Sequence, residues 1–211
     1  MVYNFTMQFE FIFQIAILIM SVVIHEVSHG YMANYLGDPT AKLEGRLTLN
    51  PIKHLDLFGS IILPMILYFT HSGFILGWAK PVPYNPYNLR PGRWSEALVA
   101  IAGPASNLIL AIIFGTLLRF GVANGFSVGF LQITSLIVFM NLLLMVFNLV
   151  PIPPLDGSKV LFAIFPESTF KLRGFFERYG FILIIFFIFF LWQFISPLIT
   201  ILFTLITGVS L

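Results

Sequence analysis

Two histidines and a glutamate lie within five positions near the end of the first apolar stretch, in the sequence "HEVSH" from His25 to His29. On a helix, the i, i+4 spacing puts His25 and His29 one turn apart on the same face. Two imidazole nitrogens on one face can bind Zn²⁺, and the carboxylate of Glu26 can take a proton from an attacking water. The alternative is that both histidines are core groups hydrogen-bonded to neighbouring helices. Because an unpaired ionisable side chain costs roughly 2.5 to 3.5 kcal/mol at the bilayer centre, a bound cation is the favoured interpretation.

A catalytic zinc site needs a third protein ligand and one open position. The chain offers five candidates, which are His54, Asp56, His71, Glu96 and Asp156. Asp156 is favoured because "FNLVPIPPLDG" directly follows an apolar span and its prolines stop the helix at membrane depth, where irregular backbone is tolerated only inside protein. The alternative for Asp156 is an exposed turn carboxylate. His54 and Asp56 form a second pair, but their surroundings indicate an interfacial loop.

The composition indicates which elements must hold these groups. Apolar residues make up 58% of the chain and charged residues only 9%, whereas soluble proteins have about 25% charged residues. The apolar runs lack the period of two that a transmembrane barrel needs, so we predict an all-α polytopic membrane protein. The chain has no cysteine, which excludes disulfides and thiolate metal ligands.

Four apolar runs are long enough to be spanning helices, and a fifth is not. We expect helices over residues 8–36, 95–119 and 128–150, and either one broken helix or a tight pair over 179–208, around Ser196-Pro197. Residues 57–69 would reach only about 20 Å as a helix, short of the roughly 30 Å hydrocarbon core. The proline-rich stretch after them suits turns, extended backbone or edge strands. The prediction is one membrane domain, 1–211. Its three-helix catalytic core covers about 8–160 and is accompanied by extra helices. Between the first two core helices we expect a re-entrant or extended segment, for which β structure is one option.

The basic residues indicate an orientation, because loops on the cytoplasmic side are enriched in Lys and Arg. If residues 57–69 re-enter without crossing and the amino terminus is outside, Arg119 is the only one of the eleven basic residues on the outer side. If they cross, the same residues divide four against seven. The re-entrant arrangement also brings the carboxyl ends of the first and third core helices, and hence the histidines and Asp156, to one side. We therefore expect an extracytoplasmic amino terminus and an active site toward the cytoplasm.

Three motifs in order resemble the site-2 protease family of intramembrane zinc metalloproteases. The family's H-E-x-x-H stands at residues 25–29, its N-x-x-P-x-P-x-L-D-G at 148–157, and its G-P-x-x-N at 103–107. The similarity covers most of residues 20–160 and includes "GRLTLNP" and "GWAKPVP". The chain looks like a compact member, without the embedded PDZ-like insert or nucleotide-sensing module of some relatives.

The resemblance implies a role for each matching residue. His25, His29 and Asp156 would be the ligands of one Zn²⁺ per chain, Glu26 the general base, and Asn148 a contact to the substrate or its oxyanion. The implied activity is peptide-bond hydrolysis within or near transmembrane segments of membrane proteins. The implied surroundings are the lipid bilayer and a transmembrane protein substrate, with no nucleic acid, while the oligomeric state stays open.

Two alternatives accompany this interpretation. Asn107 belongs to the third motif and is a candidate supporting residue, although an amide within a span commonly ties helices together. A membrane zinc transporter or scaffold could also bind the ion without hydrolysing peptides. Such a transporter needs ligands along a path through the bilayer, and the chain has no Asp, Glu, His, Lys or Arg after Arg178.

Overall fold

The structure, a computed structural model, describes residues 2–62, 65–66, 69–70, 79–165 and 170–210. These residues form seven α-helices and no strand. The helices are α1 (Val2–Tyr35), α2 (Thr40–Leu43), α3 (Ser95–Ala123), α4 (Val128–Asn148), α5 (Asp156–Ile164), α6 (Phe170–Phe186) and α7 (Trp192–Thr207).

Four helical stretches are long and apolar enough to cross a membrane: Phe13–Tyr35, Ser95–Ala123, Val128–Asn148 and Arg173–Thr207. The predicted all-α multi-pass membrane protein is therefore confirmed, with ends that differ by a few residues from the predicted ones.

The carboxyl-terminal stretch is one continuous helix. A π-helical turn, Phe187–Leu191, joins α6 to α7, and Pro197 lies inside α7. A tight helical pair would need a reversal, and residues 181–207 contain none of the Gly, Asn or Asp residues that favour one. Gly208 ends α7 beside Arg119 of α3, so α7 finishes at the same end of the bundle as α3.

Helices α1, α3 and α4 contact one another and form the three-helix core, against which α5 and α7 pack. Small residues on α3 let its neighbours approach closely, as is usual for helix contacts in membranes. A Cβ atom at Gly115, for example, would lie 2.3 Å from Ile206 of α7. The apolar side of α3 and α4 packs with α7 in one buried cluster: Ala111, Leu118, Val138, Leu142, Met145, Val146, Ile199 and Phe203.

The segment between α1 and α3 contains short turns. A 3₁₀ turn covers Pro51–His54, a π-helical turn covers Leu57–Ile62, and a second 3₁₀ turn covers Pro86–Asn88. Residues 79–85 are neither helix nor strand, so β structure is absent from the described part of this segment. Its re-entrant path stays a prediction.

Asp38 joins the two ends of this segment. Its side chain is fully buried, and its carboxylate accepts hydrogen bonds from the Thr40 hydroxyl at 2.5 Å, the Asn85 amide N–H at 2.6 Å and Asn88 Nδ2 at 3.0 Å. Burial raises the pKa of Asp38, but the hydrogen bonds from Thr40, Asn88 and Asn85 outweigh burial, so this pKa lies below its ordinary value of 3.8. The ionised carboxylate thus fixes the loop beside the amino-terminal end of α3.

This carboxylate makes the stability of the fold depend on pH. A lowered pKa in the folded state contributes stability that is fully present above the unfolded pKa of about 3.9 and is lost as the pH falls through the folded pKa. We expect Asp38→Asn to lower the melting temperature at pH 7. Between about pH 5 and pH 3 the melting temperature of the variant should fall less steeply than that of wild type, since the variant has no carboxylate to protonate there. Thermal unfolding in detergent across this pH range measures both effects. Glu44→Gln, at an exposed carboxylate, is the control. If the melting temperatures of Asp38→Asn and wild type fall equally steeply between about pH 5 and pH 3, the prediction is wrong.

Candidate metal centre and active site

The structure brings His25, His29 and Asp156 together. The Nε2 atom of His25 lies 3.1 Å from Oδ2 of Asp156, and the Nε2 atom of His29 lies 3.3 Å from the same oxygen. One ligand atom from each residue lies within 4.8 Å of the other two. Within the described part of the chain, this is the one group of three or more His, Asp or Glu side chains with such spacing.

The other nitrogen of each imidazole is held by an acceptor on α3. Nδ1 of His29 lies 2.7 Å from the carbonyl oxygen of Val99, and Nδ1 of His25 lies 2.5 Å from Oδ1 of Asn107. Since neither oxygen can donate a proton, both Nδ1 atoms must carry theirs. When the rings are neutral, it is therefore the Nε2 lone pairs that face Asp156.

A buried amide network fixes which atom Asn107 presents to His25. Asn141 Nδ2 donates to the carbonyl of Ile137 at 2.8 Å and to the Ser21 hydroxyl at 3.0 Å, so Oδ1 of Asn141 is left to accept from Asn107 Nδ2 at 2.9 Å. The amide oxygen of Asn107 is thereby directed at His25. Asn107 and Asn141 are both fully buried, and this network links α1, α3 and α4 behind the site.

The converging atoms are suited to hold a cation. When both imidazoles are neutral, their Nε2 lone pairs and the carboxylate oxygen are all acceptors, with no proton to place between them. A divalent cation would satisfy all three at once. Two histidine nitrogens and one carboxylate oxygen are also an established ligand set for a catalytic zinc, with a fourth position free.

Two glycines provide the space in which the ligands meet. A Cβ atom at Gly103 of α3 would lie 2.4 Å from Nε2 of His29 and 2.6 Å from Nε2 of His25. A Cβ atom at Gly157 would lie 2.1 Å from the carbonyl oxygen of Leu149, so only glycine lets α5 begin against the end of α4. Asp156 is the first residue of α5, and the turn after α4 thus directs it back toward α1.

Glu26 lies at the same cavity but makes a different contact. Its Oε2 atom accepts a hydrogen bond from the backbone N–H of Val82 at 2.9 Å. The cavity has a volume of about 220 Å³. It is lined by the ligand group, Glu26 and residues from three further segments: Pro81, Val82, Tyr84, Val99, Ala100, Asn148, Pro154 and Lys159.

The remaining candidates have different positions. Asn148 lines the cavity, with Nδ2 donating to the carbonyl of Leu144 at 2.9 Å. His54 is buried elsewhere, with Nε2 2.8 Å from the carbonyl oxygen of Thr48, and Asp56 accepts from the N–H of Gly59. Glu96 lies in the first turn of α3 and is not in the ligand group. His71 lies outside the described residues.

Sequence reasoning missed three contributors to the site: the Val99 carbonyl, the Val82 N–H and the Lys159–Tyr84 pair. In this pair, Nζ of Lys159 donates to the Tyr84 hydroxyl. A signal for one of them was present. In the Pro81-Val82-Pro83 stretch only Val82 carries a backbone N–H, which singles it out as a donor.

Comparisons with known proteins identify the family. The model of peptidase family M50 matches residues 13–127 and 119–192. "Putative zinc metalloprotease YwhC" of Bacillus subtilis (strain 168) is 44% identical over 187 residues, which cover 86% of this chain and 79% of that protein. "Putative zinc metalloprotease Rip2" of Mycolicibacterium smegmatis is 30% identical over 186 residues, 83% of this chain and 66% of that protein. Rip2 of Mycobacterium tuberculosis (strain H37Rv) is 33% identical over 156 residues, which cover 72% of this chain and 56% of that protein. No solved structure matches this chain.

The chain belongs to peptidase family M50, which confirms its resemblance to the site-2 proteases. It is a multi-pass membrane protein and a zinc metalloprotease.

Proposed function

We propose that this protein hydrolyses peptide bonds within or next to the transmembrane segments of membrane proteins, with one Zn²⁺ held by His25, His29 and Asp156. The observation that carries the proposal is the convergence of two imidazole nitrogens and one carboxylate oxygen within 4.8 Å at the wall of a cavity. The donor set fits zinc, and Gly103 leaves room beside it. When bound, the zinc supplies a Lewis acid that polarises a peptide carbonyl and makes water more acidic.

Glu26 is proposed as the proton carrier. Its carboxylate lines the cavity beside the ligands, and the Val82 N–H holds one of its oxygens, leaving the other to accept a proton from the attacking water. The same carboxyl group would then return that proton to the leaving amine.

Asn148 is proposed to stabilise the developing oxyanion. Its amide nitrogen has two N–H groups, and the Leu144 carbonyl accepts from one of them. The second can donate to the substrate oxygen as negative charge builds there.

A helical substrate must unwind locally, because helical carbonyls are already hydrogen-bonded and shielded. The proline-rich stretches 79–91 and 151–154 both contribute to the cavity wall, through Pro81, Val82, Tyr84 and Pro154. We propose that non-helical backbone there pairs with the unwound substrate as an added strand. If a trapped substrate forms crosslinks to α7 but to neither proline-rich stretch, this proposal is wrong.

We propose that the metal site faces the cytoplasm and that the amino terminus lies outside. The chain has no native cysteine, so a single introduced one is the only thiol to label. We expect a cysteine at Lys42 to be protected from an impermeant reagent in intact cells and one at Asn124 to be labelled. The reverse pattern would overturn the orientation.

The function is tested by incubating purified protein with a panel of single-span substrates and with soluble peptides of matching sequence. The expected result is cleavage within or next to the span, lost after zinc is removed by a chelator and restored when zinc is returned. Cleavage confined to the soluble peptides would overturn the proposal. Zinc flux into proteoliposomes without any cleavage would favour the transporter alternative.

Asn107 is expected to tune the affinity of the site for zinc. Asn107→Leu removes the acceptor of the His25 Nδ1–H and the Nδ2 donor to Oδ1 of Asn141. Loss of such a partner typically weakens metal binding about 10- to 100-fold. Competition with a chromophoric chelator measures this change, and Asn124→Leu, at the exposed end of α3, is the control. Unchanged zinc affinity in Asn107→Leu would show that the network serves helix packing alone.

A further inference from the structure

Arg46 is a buried arginine outside the ligand group, in the loop that follows α2. Its side chain is 5% exposed, and Nη2 donates to two successive carbonyl oxygens, those of Lys80 at 3.0 Å and Pro81 at 3.2 Å. Within the described residues it makes no ion pair with a carboxylate. A buried cation that binds only carbonyls is a costly way to add stability, and here the single nitrogen Nη2 fixes the direction of two carbonyl oxygens.

The backbone that Arg46 holds is the backbone that contacts Glu26. The N–H of Lys80 donates to the carbonyl of His54 at 2.8 Å, the carbonyls of Lys80 and Pro81 bind Arg46, and the N–H of Val82 donates to Glu26 at 2.9 Å. Because prolines flank Val82, no adjacent N–H can replace this donor if the backbone shifts.

Gly30 keeps this short stretch close to α1. A Cβ atom there would lie 2.7 Å from Cγ1 of Val82 and 2.6 Å from Cδ2 of Leu47, the residue after Arg46. Gly30 directly follows His29, so the loop packs on the helix that carries Glu26 and two of the proposed ligands. Packing sets the distance of the stretch from α1, whereas the Arg46 hydrogen bonds set the direction of its peptide groups.

We propose that Arg46 is a positioning residue for Glu26, acting through the Lys80–Val82 backbone and the Val82 N–H. The proposal rests on the proposed function, in that Glu26 carries the proton. Arg46 is neither in the ligand group nor among the residues that line the cavity, so it acts on Glu26 through the backbone and not by direct contact.

The test is a double-mutant cycle between Arg46→Lys, which keeps the charge on a side chain that ends short of the position of Nη2, and Val82→Pro, which removes the donor N–H. We measure kcat, KM and zinc per chain on a single-span substrate that wild type cleaves. Each single variant should lower kcat roughly ten- to hundredfold, the range expected for a hydrogen bond to a charged group, with zinc content unchanged. If Arg46 acts through the Val82 N–H, the double variant should be no slower than the slower single variant.

A control separates this role from general damage to the fold. Arg178→Met removes an exposed arginine on α6. It should cleave at close to the wild-type rate. Hydrogen exchange gives a readout independent of activity, since Arg46→Lys should speed exchange of the Val82 amide while the amides of α1 and α3 stay protected.

Three results would overturn the proposal. The first is an Arg46→Lys variant with wild-type kcat. The second is a double variant whose loss of kcat equals the product of the two single losses. The third is a loss of kcat accompanied by loss of zinc or by faster hydrogen exchange of the α1 amides. Glu26→Gln is assayed beside them. If Glu26→Gln cleaves normally, the proposed proton carrier is wrong, whereas an inactive Glu26→Gln with a fully active Arg46→Lys rejects only the role of Arg46.

Discussion

Glu26→Gln should abolish cleavage while the protein keeps its zinc. Glutamine preserves the length of the side chain, and its carbonyl oxygen can still accept from the Val82 N–H that lies 2.9 Å from Glu26. It cannot take a proton from water at neutral pH, so the loss should be that of general acid–base catalysis, about 10²- to 10⁴-fold in kcat. Because Glu26 is outside the ligand group, zinc content should not change.

Cleavage rates on one single-span substrate and zinc per chain, measured on the same preparations, test this expectation. The matched control is Glu44→Gln, which removes a carboxylate from the exposed end of α2 and should change neither quantity. Wild-type cleavage by Glu26→Gln would mean that another group carries the proton. Loss of zinc from Glu26→Gln would mean that Glu26 belongs to the metal site itself.

Gly103→Ala, which adds a single methyl group, should have a comparably large effect through the metal. The new Cβ atom would lie 2.4 Å from Nε2 of His29 and 2.6 Å from Nε2 of His25, closer than non-bonded atoms approach one another. Both imidazoles are anchored through Nδ1, so neither can turn away without breaking its bond to Val99 or Asn107. The helices α1 and α3 must separate instead, and we expect zinc affinity to fall at least about 100-fold, with cleavage lost.

Gly129→Ala makes the same chemical change on α4, where a Cβ atom meets nothing within 4 Å. Alanine should stabilise that helix by about 0.5 to 1 kcal/mol and leave zinc binding unchanged. Chelator competition and thermal unfolding of both variants separate loss of the metal from loss of the fold. Full zinc affinity in Gly103→Ala would show that α1 and α3 are not as closely packed around the site as the distances require.

The parts of the site that were predictable are those with a side-chain signature. The i, i+4 histidines required a shared face, and the prolines before Asp156 required irregular backbone at membrane depth, so both could be found without coordinates. Asn107 was identified by its motif, but its orientation depends on Asn141 and Ser21, which lie on other helices. No local pattern reveals such a chain of hydrogen bonds.

The parts that were not predictable depend on backbone groups or on long-range packing. The donor that holds Glu26 is the N–H of Val82, 56 positions away, and the acceptor that holds His29 is the carbonyl of Val99. Nearly every residue offers such groups, and apart from the single N–H between Pro81 and Pro83 the sequence does not select among them. The continuity of α6 and α7 was left open for a related reason, since a proline within an apolar run is compatible both with a break and with a helix that continues past it.

The separation of the ligands along the chain also sets a schedule for biosynthesis. His25 and Asp156 are 131 positions apart, although they meet in the folded protein. A nascent chain that has reached the end of α3 carries both histidines and their anchors on Val99 and Asn107, yet lacks the carboxylate that completes the group. The proposed ligand set becomes complete only when the ribosome has passed residue 156 and α5 has folded back against α3. Until then the growing chain lacks the third proposed ligand, so the proposed peptidase site is incomplete.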